Sequence, residues 1–233
     1  MVFSPSLKKS QIKKSMGQNN IDRVLGVKKI GLVGIRGLPP NYGGYETLAS
    51  KLGPYLADRG HRVLVSCERP RNDVELSKSF KGTELLYFPI KAPSNYRLRK
   101  IYEGLNDLYF YFRIGLTVDV MYVMAGIGTQ ALALLRLLRP GLKIVTNSDG
   151  IEWERAKFGL VERILIKSFI KSSLRFSHSI IHDHPRLEDR FPKHNSKKVK
   201  VIEYGADLSD KIEWDGEFVE RSYPQLSSIS PGD

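Results

Sequence analysis

The chain has 233 residues, 41% of them hydrophobic and 10% aromatic, enough to bury a real core and to argue against overall disorder. Its 37 Lys and Arg against 25 Asp and Glu give a formal net charge of +12, which favours an anionic partner: nucleotide phosphates, nucleic acid or an acidic membrane face. Cys67 is the only cysteine, so no intramolecular disulfide can form, and no run of about 18 apolar residues suggests a membrane span.

Residues 1–27 carry Lys8, Lys9, Lys13, Lys14 and Arg23 against Asp22 alone, and read as a flexible basic leader. No apolar run follows the positive charge, so a secretory signal is not expected, and the lone cysteine fits a cytoplasmic location. "KIGLVGI" reads as a buried strand, then Glu46 to Arg59 as a helix bent at Pro54 and stopped by Gly60. "HRVLVSCE" and "ELLYFPI" are the next two strands. Residues 97–116 form a helix whose spacing puts Leu98, Ile101, Tyr102, Leu105, Leu108, Tyr109, Phe112 and Leu116 on one apolar face. "DVMYVMA" is a fourth strand, "GTQALALLRLL" a helix and "KIVTNSDG" a fifth strand. A basic helix at about 160–176 follows, then a strand "HSIIHDH", a short helix and a strand "VKVIEYG". Strand and helix alternate throughout, which predicts an α/β fold with a Rossmann-like, doubly wound parallel sheet. After Gly205 the pattern fades.

Ligands of open α/β sheets sit beyond the carboxyl ends of the strands. The stretch "GIRGLPPNYGGYETLASKL", residues 34–52, starts there. It lacks the G-x-G-x-x-G spacing of dinucleotide-binding loops, because Gly34 and Gly37 are three apart and Gly43 comes too late. Two readings stay open: a tight structural turn, or a backbone surface at a helix start whose N–H groups face an anion without Cβ interference at Gly43 and Gly44. Gly126 and Gly128, after the fourth strand, either form a facing wall or simply start a helix. His182 and His184 would share a strand face, but no third ligand has suitable spacing, so no metal is expected. Cys67 reads as a small buried residue. Arg163, Lys167 and Lys171 form a basic stripe beside Leu160, Ile164 and Phe169, which suits either peripheral contact with an anionic leaflet or a solvated helix face. No aromatic-basic sheet motif or helix-turn-helix is present, which argues against nucleic acid as a partner.

"GIRGLPPNYGGYET" together with "TNSDGIEWERAKFG" at 146–159 resembles the N-terminal half of bacterial retaining glycosyltransferases of family 4, in the branch that includes rhamnosyltransferases of surface polysaccharide synthesis. In that branch the loop reads nearly G-T-R-G-I-P-x-x-Y-G-G-F-E-T and the later motif N-x-D-G-x-E-W-x-R-x-K-[FW]. Arg36, Gly37, Pro39, Tyr42, Gly43, Gly44, Glu46 and Thr47 fill the first; Asn147, Asp149, Gly150, Glu152, Trp153, Arg155, Lys157 and Phe158 fill the second. The resemblance covers about residues 28–205.

The resemblance implies one half of a GT-B fold. Residues 28–205 would be its acceptor-side domain, and 206–233 a linker or the truncated start of a donor domain. The implied reaction moves a sugar, rhamnose being the candidate, from a nucleotide-sugar donor to a glycan or lipid-linked acceptor, with no metal or other cofactor. Substrate contacts would come from Arg36, Gly37, Tyr42, Gly43, Gly44, Glu46, Gly126, Gly150, Glu152 and Arg155. Asp149 stands where many members have a His near the transferred sugar, and would be the catalytic residue. Asp149 as an N-cap, and Glu152 with Arg155 as a helix-surface ion pair, are the structural alternatives. A non-catalytic module that binds a partner or a membrane is the alternative for the whole chain.

Overall fold

The structure, a computed structural model, describes residues 26–41, 43–72, 74–124, 127–148, 159–185 and 198–203. The chain divides into two units, residues 1–202 and 203–233, and the fold below belongs to the first.

Eight strands form one sheet in the order β3-β4-β2-β1-β5-β6-β7-β8. They are β1 Lys29–Val33, β2 Arg62–Arg69, β3 Ser79–Phe80, β4 Thr83–Lys91, β5 Val120–Val123, β6 Lys143–Ser148, β7 Ser179–His182 and β8 Val199–Val201. Every pairing is parallel except β3 with β4. Among the described residues, four helices connect them: α1 Gly44–Asp58, α2 Tyr96–Gly115, α3 Ala131–Leu138 and α4 Leu160–Phe176. The sheet is therefore doubly wound as expected, and its order reverses between β1 and β5. The crevice for a ligand lies at that reversal.

The β3–β4 hairpin is absent from the sequence expectation. A two-residue strand has no readable period, and its turn signal is Lys81-Gly82 rather than Asn-Gly. Both turn residues have positive φ, 43° and 84°, which matches the twist of a two-residue hairpin. The strand expected over "HSIIHDH" ends at His182, so His184 lies beyond it and is exposed, whereas His182 is buried. Pro54 sits inside α1, which runs on to Asp58. The expected short helix before β8 falls in residues 186–197, outside the described residues.

Helix α1 covers one face of the sheet and α2, α3 and α4 the other. On the α1 side, Ala49 packs with Ile30, Leu32, Val63, Val65, Cys67 and Tyr122. On the other, Phe110, Tyr111, Ile114, Leu132 and Leu135 pack against Val33, Met121, Val123 and Ile144. The apolar face expected on 97–116 packs only in part: Tyr102, Tyr109 and Phe112 meet the core, whereas its aliphatic residues do not. Tyr102 is buried, but Leu98, Ile101 and Leu105 are 55%, 62% and 49% exposed. The contact face runs through Tyr102, Asn106, Phe110, Tyr111 and Ile114 instead. Helix α2 has two apolar stripes, and the one with the aromatic rings removes more area from water. Phe88 on β4 meets Tyr102 and Tyr109 edge-on, with centroids 5.4 and 5.3 Å apart. Gly31, in the middle of β1, lets α2 come close: a Cβ there would lie 2.2 Å from the Ile114 Cγ2.

Candidate functional site

The loop after β1 is built against α1 and α2. Glu46, in the first turn of α1, is only 4% exposed, and its carboxylate accepts the Arg36 backbone N–H at 2.9 Å. The Arg36 carbonyl accepts the Glu68 N–H at 2.8 Å, tying the loop to the end of β2. The Arg36 guanidinium donates to Glu103 of α2 at 3.2 Å. Glu103 also accepts from Arg99 Nε at 3.0 Å, and Arg99 donates to Glu68 as well. Two arginines and two glutamates thus form one bridge between β1, β2 and α2. Burial raises the Glu68 carboxyl above the usual range, against the opposing pull of the Arg99 guanidinium.

Gly37 must be glycine on two grounds. Its φ is 135°, and a Cβ there would lie 3.0 Å from both Cβ and Sγ of Cys67. Burial pushes the Cys67 thiol up to about 12, so at neutral pH it is an uncharged, unreactive packing group. Gly43 is the N-cap of α1, with extended backbone and no side-chain cap. A Cβ on Gly44 would meet nothing within 4 Å. The start of α1 is thus open on the side where this residue faces.

Beside the loop lies a cavity of about 630 Å³ at the carboxyl ends of β1, β2 and β4. Arg36, Gly37, Leu38, Pro39 and Asn41 form one wall and Cys67, Glu68 and Arg69 the floor. Arg71, Val74, Glu75 and Ser77 form the far side, and Tyr87, Ala92, Ser94 and Arg99 close it. Charged donors and acceptors held in fixed pairs, beside an aromatic side chain, suit a ligand rich in hydroxyls. Of the expected contact residues, Arg36 and Gly37 line this cavity, whereas Gly43, Gly44 and Glu46 stand at the start of α1, tied to the loop through the Glu46–Arg36 hydrogen bond. Tyr42, Gly126, Asp149, Gly150, Glu152 and Arg155 lie outside the described residues. Sequence reasoning missed Glu68, Arg69, Arg71 and Arg99. The i, i+4 spacing of Arg99 and Glu103, and the charged pair at the end of "SCER", were the available signals.

The loop after β5 has its own anchor. Asp107 of α2 is buried, and its carboxylate accepts the Ile127 N–H at 2.9 Å. Burial pushes this carboxyl up to about 7. Among the described residues no three His, Cys, Asp or Glu side chains come together as a metal site would need.

A doubly wound α/β domain with a polar cavity at its strand ends is the class these features define. The family described as "Domain of unknown function (DUF1972)" matches residues 27–207, and the chain belongs to it. No curated protein sequence matches it. Among solved structures it is similar to CalG4, the calicheamicin glycosyltransferase, with 13% identity and a TM-score of 0.36. That match covers 79% of this chain and 54% of the other, so the chain spans about half of that protein's length.

Proposed function

We propose that this chain is the acceptor-side half of a GT-B glycosyltransferase, of the retaining, family 4, rhamnosyltransferase-like kind. It would work on a nucleotide-sugar and a glycan or lipid-linked acceptor. The observation that carries the reading is the cavity of about 630 Å³ beside the Gly-rich loop, lined by Arg36, Glu68 and Arg99, with Glu103 behind them pairing with both arginines. Paired guanidinium and carboxylate groups hold sugar hydroxyls in fixed directions, since each hydroxyl both donates and accepts. The two sequence motifs supply the rest of the argument.

In this reading the acceptor hydroxyl attacks the anomeric carbon from the face the nucleotide leaves. The leaving phosphate takes the hydroxyl proton as the glycosidic bond forms. Positive charge develops on the sugar ring and negative charge on the phosphate, so preorganised donors near the phosphate lower the barrier. The N–H groups at the start of α1 would be such donors. Asp149, directly after β6 in sequence, would orient the reacting sugar or the acceptor hydroxyl.

The test is a transfer assay on the chain joined to a donor-binding half, with nucleotide-sugars offered against lipid-linked and free glycan acceptors. Product with a retained anomeric configuration is expected. Asp149→Asn should lower turnover by about a hundredfold or more with an unchanged melt. Failure of every donor and acceptor pair would sink the reading. Full activity of the Asp149 variant would remove that residue from it.

A further inference from the structure

The helices on the α2 side of the sheet carry an unequal share of charge and exposed apolar surface. Helices α2, α3 and α4 hold nine Lys and Arg against three Asp and Glu, whereas α1 on the opposite face holds one Lys against two acids. The three acids are all engaged. Glu103 pairs with Arg36 and Arg99, Asp107 is buried, and Glu162 pairs with Lys100. Of the seventeen large apolar side chains exposed among the described residues, twelve lie on these three helices. Single exposed leucines need no explanation, but a concentration of this kind on one basic layer does.

The two features interleave. On α2, Leu98 and Ile101 alternate with Arg97 and Lys100; on α4, Leu160 and Ile164 alternate with Arg163 and Lys167. The Lys100–Glu162 pair joins the starts of both helices, so their apolar residues belong to one surface. Further along α4, Ile164, Lys167, Ser168, Lys171, Ser172 and Arg175 line a groove of about 370 Å³. Three cations one helical turn apart, with two hydroxyls between them, match the phosphodiester headgroups of a lipid surface.

We infer that this helical layer docks on an anionic phospholipid bilayer, with the apolar side chains in the headgroup boundary and the α4 cations on lipid phosphates. Charge decides between occupants. A second copy of the chain meeting this face symmetrically would bring two layers of like net charge together, which repels. An anionic bilayer is complementary, and long Lys and Arg stems lie along the apolar boundary while their charges reach phosphate. Both helices begin at the carboxyl edge of the sheet, the edge at which the candidate cavity opens. The inference stands without the proposed reaction.

The test is flotation of the full chain with phosphatidylcholine vesicles, alone or with a third of the lipid as phosphatidylglycerol. The chain should bind the anionic vesicles, stay free of the neutral ones and weaken as salt rises. The triple variant Lys167→Gln, Lys171→Gln, Arg175→Gln should partition about a hundredfold less, taking the usual gain per basic residue near an anionic surface. Ile101→Ser with Ile164→Ser should lower binding about tenfold. All five positions are on exposed or grooved helix surface, so unchanged melts are expected and confirm that the variants fold. No binding to anionic vesicles overturns the inference, as does binding that both variants leave intact, which would assign it to the basic leader. A stable dimer that the Ile101 and Ile164 changes dissociate would overturn it in favour of a second copy.

Discussion

Asp107 shows how burying a single side chain links protonation to stability. Its usual value is 3.8, and burial takes it to about 7, with the negative charges of Glu103 and Glu68 adding to the rise and the Ile127 and Asn106 donors opposing it. Between those two values the folded chain holds a proton that the unfolded chain has released. Stability from this group is therefore greatest at acid pH and declines as pH rises towards 7, by at most about 1.4 kcal/mol per pH unit. Asp107→Asn keeps an oxygen for the Ile127 N–H and cannot ionise. Urea unfolding from pH 5 to 8 should show a falling midpoint for the wild type and a flatter one for the variant. Identical slopes would mean that Asp107 titrates as an ordinary carboxylate.

At the scale of elements, α2 separates what sequence pattern can and cannot decide. Its existence, and those of the long strands and other helices, follow from apolar periodicity. Its orientation does not, because Leu98, Ile101 and Leu105 repeat as regularly as Tyr102, Phe110 and Ile114. What chooses is the partner surface: Phe88 offers an aromatic edge and Gly31 a flat place for Ile114. Phe110→Ala should therefore cost about 3–5 kcal/mol, and Leu105→Ala no more than about 0.5 kcal/mol. Equal losses in chemical denaturation would reverse the assignment of faces. The site divides in the same way. Arg36, Gly37 and Gly43-Gly44 stand in one contiguous motif, whereas Glu68 and Arg99 reach the cavity from separate elements 31 residues apart.

On the scale of the whole molecule, the proposed reaction treats this sheet as one wall of a cleft. A single wall leaves bound phosphate in contact with water, where each hydrogen bond exchanges for another at little gain. Calorimetric titration of the 233-residue chain with nucleotide-sugars should give dissociation constants of about 1 mM or weaker. Micromolar binding by this chain alone would contradict the half-cleft reading. The melt of the sheet-bearing unit should still be cooperative, because α2 packs on strands from both sides of the order reversal and ties them into one core.

The absence of a side chain at Gly31 has a consequence well beyond β1. That residue does not line the candidate cavity and has no side chain, yet it sets how far α2 stands from the sheet. The same helix carries Glu103, which grips the loop after β1, and Asp107, which grips the loop after β5. Gly31 acts as a shim: one methyl group inserted there would lift the crossbar from which both rims of the crevice hang, and would change its width without altering a residue that lines it.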